Sequence, residues 1–569
     1  MAILTLRHGA SNSGQSGIHL SLRPQALKEN NTHMHLAGTE DATISPFSGQ
    51  DVATFLVERA AAFADRDLLI WVPVDGPEQR WTYKRFLHDV SRLAGGLAEH
   101  GIRPGDRVLV HLENSPEALL ARFACCWLGA ICVATNPMLT GPELESIAGA
   151  VGVRGAITQP DLAEVVWKHV SGLEWIAVTA NPSSSGLPAH HADSFASLYG
   201  QPLPQRSPGP LQPALILFTT GTTARPKPVL WTHENFLWAA CLGACQQSIV
   251  STDVLQLYLP LYHVVGFSWT LLPVMWAGGT VVLQPRFSVK RYWPIALRHR
   301  TTLTAHVPFT ITALQSVERP SEHFFRQWIA NRQMPAEQAH FGIEHFSSAW
   351  GMTEMVSQPI IGNALAGRLP PGAIGRPSIG YRVRIADGSG RDVDTGASGE
   401  LLVRGIRGRS IFLEYFGDPD ATQSAFDERG FFRTGDRVQL NPDGSISFVD
   451  RMKDVIKVGG EGVAASEIEA VIQKVPGVRE VAVVAGPDPI RTEIPVAFVV
   501  RTKDPDVTDD QLRLAIESEC SRSLARFKVP RHVLFINELP RVGFGKISKA
   551  RLRDIVAESL GKPPLAGRS

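Results

Sequence analysis

Apolar residues recur along this chain in two alternating textures. Over 51–64 and 82–101 they return at helical spacing, whereas Arg107-Val108-Leu109-Val110-His111-Leu112 is the short continuous apolar run of a buried strand. Ser115-Pro116-Glu117 gives the next helix an N-cap, a first-turn proline and a charge that suits its positive end. The alternation continues with strands at 130–134, 155–158 and 175–179 and a helix at 142–151, up to a Pro/Ser/Gly-rich linker at 181–210. Such alternation predicts an α/β fold of helix-covered, mostly parallel sheets.

The texture changes near Arg433. Val438-Gln439-Leu440, the turn Asn441-Pro442-Asp443-Gly444 and residues 445–449 predict a hairpin, followed by a charged connector, Asp450-Arg451-Met452-Lys453-Asp454. Beyond it Ser466-Glu467-Ile468-Glu469 fits a capping box, 481–484 and 496–500 read as strands and 509–524 as a helix. The expected organisation is a disordered leader at 1–44, a large multi-sheet N-terminal domain at 45–449, a hinge at 450–453, a small mobile α+β domain at 454–557 and a tail at 558–569. A chain of 569 residues exceeds one ordinary core, which agrees with at least two domains. For the leader two other readings stay open: a transit peptide, because residues before Glu29 lack acidic side chains, or a true start at Met34.

Composition narrows the function. The formal charge of +1 gives no general pull toward nucleic acid or an acidic membrane, so any anion site must be local. The six cysteines have neither Cys-x-x-Cys spacing nor nearby histidines at zinc-ligand spacing, which favours a reducing, cytoplasmic setting. The apolar run 123–134 is well short of the roughly 20 residues that span a bilayer, so no integral membrane segment is expected.

Local chemistry gathers in five places. The apolar run Leu215-Ile216-Leu217-Phe218 breaks into Thr219-Thr220-Gly221-Thr222-Thr223-Ala224-Arg225-Pro226-Lys227, whose hydroxyls, turning backbone and cations suit polyphosphate oxygens. It is not a Walker A loop, because Lys227 stands between Pro226 and Pro228; taken alone, a Thr/Gly surface turn would look the same. Ser348-Ala349-Trp350-Gly351-Met352-Thr353-Glu354 combines a ring that can stack on a base, a glycine for close approach, a hydroxyl and a carboxylate able to hold Mg²⁺. Arg433-Thr434-Gly435-Asp436 puts a carboxylate on a turn, suited to ribose hydroxyls. Residues 450–463 bring Arg451, Lys453 and Lys457 toward Gly459-Gly460-Glu461-Gly462, and Pro540-Arg541-Val542-Gly543-Phe544-Gly545-Lys546-Ile547 carries a lysine on a glycine-flanked loop.

In this order and at these separations the five motifs resemble the adenylate-forming superfamily of acyl-CoA synthetases, luciferases and peptide-synthetase adenylation domains, over 44–555. Family-like stretches elsewhere are Pro260-Leu261-Tyr262-His263-Val264-Val265-Gly266, Gly399-Glu400-Leu401-Leu402-Val403-Arg404-Gly405 and Phe527-Lys528-Val529-Pro530. The resemblance implies an acyl-CoA synthetase: a carboxylate attacks the α-phosphorus of ATP, pyrophosphate leaves, and the acyl-AMP is taken by the thiol of CoA. It implies that Thr219, Thr220, Gly221, Thr222, Thr223 and Lys227 hold the β- and γ-phosphates, and Glu354 the Mg²⁺. Trp350, Gly351 and Asn331 would face the adenine, Thr353 the α-phosphate, and Asp436 with Arg451 the ribose. Lys546 would be the adenylation lysine, Lys453 the hinge, and Lys457 with Gly459 and Gly460 the thioester-forming face. His263 would lie beside the substrate carboxylate, and Val264, Val265, Phe267, Phe309, Ser348 and Met355 would wall an apolar acyl pocket.

The chain departs from the family pattern in places. Thr220, Ala224 and Pro228 stand where serine, glycine and glycine are usual, which predicts a stiffer loop lacking one N–H. Ala330-Asn331-Arg332-Gln333-Met334-Pro335 replaces a Gly-Gly-Ala segment, and Gly462 replaces Asn or Gln. His263 stands where amino-acid-activating relatives carry aspartate, which disfavours an amino acid substrate; a hydrogen-bonded core histidine remains the other reading. The expected partners are a small carboxylic acid, ATP and CoA, with the chain a monomer or homodimer. Two alternatives stay open: an adenylating enzyme with a separate carrier protein or other acceptor, and a non-catalytic nucleotide- or acyl-binding descendant.

Overall fold

The computed structural model describes residues 45–180, 192–207, 209–219, 226–363, 367, 369–451, 455–458, 461–488, 492–502, 508–524, 528–542 and 546–560. Among the described residues, most strands fall into sheets of thirteen, eight and five. In the eight-stranded sheet Arg107–His111 is parallel to Ile131–Ala134 and to Gly155–Thr158. Val108 and Val110 enter one apolar cluster and Leu109 another, so this strand is covered on both faces, as its unbroken apolar run requires. Helices supply the cover. Pro116–Leu128 begins where Ser115 accepts the Ala118 N–H at 3.2 Å and ends at Gly129, whose φ of 83° few other residues tolerate. In Tyr83–Glu99, Gly95 and Gly96 let a second segment lie flat on the helix; a Cβ there would meet the Gln201 and Leu198 carbonyl oxygens at 1.8 and 1.6 Å.

The thirteen-stranded sheet is parallel from Asp67–Trp71 through Thr280–Leu283, Val254–Leu257, Leu303–Ala305 and Gln327–Ala330 to His345–Trp350. Beyond His345–Trp350 every pairing is antiparallel, an extension that the βα alternation does not announce. The hairpin at 438–449 belongs to it, but its second strand, Ile446–Arg451, runs on, with Asp450 and Arg451 paired to Arg437 and Asp436. The first two residues of the expected connector are therefore ladder residues, and 452–454, with Lys453, lie outside the described residues. The expected bare linker also carries structure: the strand Asp193–Ser194 and the 3₁₀ turn Phe195–Leu198.

The smaller C-terminal domain is α+β. Along Val478–Asp488, Val481 and Val483 face one apolar cluster with Ile468, Ile472, Leu512 and Ile516, while Ala482 and Val484 face another with Leu552 and Val556. This period of two puts helices on both faces of one sheet. The expected capping box is not formed as read: the helix is Ala465–Ile472, and the Ser466 hydroxyl inside its first turn donates to the Val449 carbonyl at 2.6 Å. All six cysteines are free thiols, and no helix among the described residues is long and apolar enough to cross a membrane.

Candidate active site

Both main motifs leave the sheets at comparable points. Pro213–Phe218 is parallel to Ile131–Ala134 on one side and antiparallel to Pro228–Thr232 on the other. His345–Trp350 has the same arrangement between Gln327–Ala330 and Ile360–Gly362. Thr219 follows the first strand and Trp350-Gly351-Met352-Thr353-Glu354 ends the second. Loops diverge where a parallel run changes direction, and the crevice at the carboxyl ends of such strands is a natural binding place.

The loop expected to hold phosphate is closed at its base. Thr219 N donates to the Lys227 carbonyl at 3.1 Å, and Lys227 N to the Thr219 hydroxyl at 3.1 Å. Pro228 opens the following strand opposite Phe218, a first position where a missing N–H is tolerated, and its carbonyl accepts the Phe416 N–H at 2.8 Å. Thr220, Gly221, Thr222 and Thr223, with Ala224, lie outside the described residues.

At the second motif Trp350 and Asp436 meet across 86 residues of chain: the buried indole Nε1 donates to the buried Asp436 Oδ2 at 2.9 Å. Asp436 is also the cross-strand partner of Arg451, so the two residues expected at the ribose are neighbours in the backbone ladder. Gly351 is required by space, since a Cβ would come within 2.7 Å of both the Ser357 carbonyl oxygen and the Trp269 ring. Thr353 and Glu354 are held by their carbonyls, which accept the Trp231 Nε1–H at 3.0 Å and the Phe412 N–H at 2.8 Å.

The Glu354 side chain brings in a residue that sequence reasoning missed. Its Oε1 accepts the Tyr415 hydroxyl at 2.8 Å, and the Lys227 ammonium lies 4.5 Å from the centroid of the same Tyr415 ring. Register causes this: in Glu414–Tyr415, Tyr415 pairs with Val229, two residues beyond Lys227. Burial, then the adjacent Glu354 carboxylate, push the Tyr415 phenol far above its ordinary range, so it remains a donor.

Most of the residues expected to wall an acyl pocket lie in two segments. His263 caps the turn Val264–Gly266 by accepting the Val265 N–H on Nδ1 at 3.2 Å, which assigns the proton of the neutral ring to Nε2. Val264 and Phe267 are buried and Val265 half-buried. Phe267 is enclosed by Phe236, with ring centroids 5.2 Å apart, and by the buried Arg122, whose guanidinium carbon is 4.0 Å from the ring centroid. The other segment is Met355-Val356-Ser357. Met355 is buried, and Val356 has φ 63° and ψ −53°, with Ser357 N donating to the Met355 carbonyl at 2.5 Å. This is a positive-φ γ-turn, strained for a β-branched residue. Ser268 Oγ joins the segments, 2.7 Å from the Val356 carbonyl and 3.1 Å from that of Val264.

The remaining expected residues are distributed unevenly. The Ser348 hydroxyl is buried and accepts from Gln333 Nε2 at 3.0 Å. Asn331 is exposed beyond Gln327–Ala330; it is Gln333 that is inserted, its amide also reaching the Phe346 and Gly362 carbonyls at 3.0 and 3.2 Å. Phe309 is 53% exposed, with Phe287 beside it at 6.0 Å. Lys457 and Lys546 are placed by backbone alone, opposite Gly462 and Val542 in short ladders, and Gly459 and Gly460 lie outside the described residues.

The fold and the two loops define a nucleotide-binding α/β enzyme with an appended small domain, and the chain belongs to the AMP-binding enzyme family, whose model matches residues 56–416; the AMP-binding enzyme C-terminal domain matches 467–546. Among individual proteins, it is 31% identical over 525 residues to a crotonobetaine/carnitine–CoA ligase of Salmonella paratyphi A, covering 89% of this chain and 99% of that one. ATP-bound MatB from Rhodopseudomonas palustris superposes with a TM-score of 0.78 at 26% identity, over 90% of this chain and 100% of that one. A Mycobacterium tuberculosis fatty acyl CoA synthetase gives 0.69 at 27% identity, over 90% and 99%.

Proposed function

We propose that this chain is an AMP-forming acid–thiol ligase: it activates a small carboxylic acid with ATP as acyl-AMP, releasing pyrophosphate, and transfers the acyl group to the thiol of CoA, releasing AMP. The observation that carries this reading is the Trp350 to Asp436 hydrogen bond, which ties a base-stacking ring to a carboxylate suited to ribose hydroxyls. Thr219 and Lys227 then bracket the triphosphate, and Lys546 stabilises charge gathering at the α-phosphate, an effect of about 10² to 10³ in rate. His263, whose Nδ1 accepts the Val265 N–H, would offer Nε2–H to the acid's carboxylate.

Among the described residues, Glu354 is the group of this site suited to magnesium. Glu354 offers a buried carboxylate, and among the described residues no group of three His, Cys, Asp or Glu side chains could cage an ion. An ion held by Glu354 would therefore take its other ligands from phosphate oxygens and water, as Mg²⁺ commonly does. Bound there, it would neutralise triphosphate charge.

The relatives are named for chemically different acids, crotonobetaine or carnitine in one and fatty acids in another, so the acid is sought over a broad panel. The test is pyrophosphate release over a panel of acids, with and without CoA. Release that depends on acid and is followed by CoA consumption is expected. Release without CoA consumption would transfer the reading to another acceptor. Lys546→Ala should abolish acyl-AMP formation yet leave CoA attack on supplied acyl-AMP largely intact; equal loss of both half-reactions contradicts its role.

A further inference from the structure

Tyr415 touches two groups that carry opposite charge and come from different motifs. Its hydroxyl donates to Glu354 Oε1 at 2.8 Å, and Lys227 Nζ sits 4.5 Å from its ring centroid. Packing alone does not require a hydroxyl here: Phe412 lies 5.0 Å away between centroids and stacks on Phe426, so a phenylalanine would suit the same wall. Burying a phenol and a carboxylate costs each its water, a cost that their mutual hydrogen bond offsets and that a phenylalanine here would not incur for its own ring. The backbone around Tyr415 is also fixed: its N–H donates to the Thr422 hydroxyl at 2.9 Å, and the next N–H, on Phe416, donates to the Pro228 carbonyl at 2.8 Å. One rigid ring thus spans the ammonium at the base of the phosphate loop and the carboxylate of the Thr353-Glu354 motif.

We propose that Tyr415 is a positioning residue for the adenylation step, setting the Glu354 carboxylate through its hydroxyl and the Lys227 ammonium through its ring so that both meet a magnesium-bound triphosphate. This rests on the reading of Glu354 and Lys227 given above. The two functions belong to different atoms of one side chain and can be separated. The phenol stays protonated across the working pH range, so the hydrogen bond is not a titrating one.

The experiment is calorimetric titration of the full chain with ATP, in excess Mg²⁺ and in EDTA, without acid or CoA. Tyr415→Phe keeps the ring and loses the hydroxyl. Its ATP affinity in EDTA should match wild type, while the gain on adding Mg²⁺ should fall about tenfold, the effect of one hydrogen bond to a charged group. Tyr415→Leu removes the ring as well, and its affinity in EDTA should drop a further two- to fivefold, about what a partly exposed cation–π contact provides. Thermal unfolding of each variant checks folding, and Tyr415→Phe is conservative enough to decide the matter alone. An undiminished Mg²⁺ gain in Tyr415→Phe, or equal EDTA affinities for the Phe and Leu variants, overturns the proposal. Wild type that binds no ATP under either condition overturns the underlying reading instead.

Discussion

The nucleotide side and the acyl side of this site are held together differently. On the nucleotide side, polar side chains from distant parts of the chain bond to one another: Trp350 to Asp436, Tyr415 to Glu354, Lys227 N to Thr219. In and beside the two segments expected to wall the acyl pocket, four buried polar atoms, Trp269 Nε1, Ser357 Oγ, Gln358 Nε2 and Gln247 Oε1, have no hydrogen-bond partner. They are close together, since Gln247 Nε2 reaches the Trp269 carbonyl at 2.9 Å and Gln358 Oε1 at 3.4 Å. The contrast matches what the two sides must bind. ATP is the same in every turnover, so its grip can be assembled in advance. The acid is what differs between the relatives, and on the proposed acyl side these four atoms are hydrogen-bonding capacity that the protein itself does not use.

The comparison breaks first, and with the largest effect, at Asp436. Asp436→Ala removes both the carboxylate proposed for the ribose and the acceptor for a buried indole N–H, so kcat/KM for ATP in pyrophosphate release should fall about 100-fold. Asp436→Asn keeps an acceptor for Trp350 and should lose only about tenfold. If Asn proves as damaging as Ala, the indole bond contributes nothing and the nucleotide side is not held in the way described.

A smaller effect is expected on the acyl side. Between two acids of equal length, one plain and one with a hydroxyl or amide, the polar acid should be favoured about tenfold per hydrogen bond gained. Ser357→Ala should narrow that preference while leaving the KM for ATP unchanged. Equal use of both acids would assign the four polar atoms to buried water.

Much of this was legible in the sequence, and the gaps have physical reasons. The strands 107–111 and 131–134, the phosphate-loop strand and the small domain's strands announced themselves because both faces are buried, leaving apolar runs that need no tertiary information. Thr219, Lys227, Trp350, Glu354 and Asp436 were singled out because their residue types suit phosphate, base, metal and ribose. Tyr415 was not, since a two-residue strand has no periodicity and its value comes from pairing with Val229. Gln333 was passed over for Asn331 for a similar reason: a side chain inserted between strands looks in sequence like any loop glutamine. Asp450 and Arg451 read as connector because charge suggests a loop, whereas their place at the end of the strand comes from backbone pairing with Arg437 and Asp436, which residue type does not announce.

The last and smallest test asks whether the two sides share one scaffold. His306 is buried among Tyr258, Tyr292 and Thr310, with Nδ1 2.8 Å from the Tyr258 hydroxyl and Nε2 3.2 Å from that of Tyr292. Burial lowers its pKa to about 3, and that of His111 to about 4. His233 is lowered in the same way, its Nδ1 accepting the Val52 N–H at 3.4 Å. These values lie below the unfolded histidine value of about 6.5, so between the two the unfolded chain binds protons that the native state refuses. Stability therefore rises with pH in this window: it is fully present above about 6.5 and is lost as pH falls toward 4. All twelve tryptophans precede residue 351, so indole fluorescence reports the large domain, including Trp350 on the nucleotide side and Trp269 on the acyl side. The fluorescence Tm should fall by several degrees between pH 7 and pH 5, in a single transition, and His306→Gln should flatten part of that slope. A flat Tm over this range, or two separate indole transitions, would show that the sides are not carried by one cooperative core.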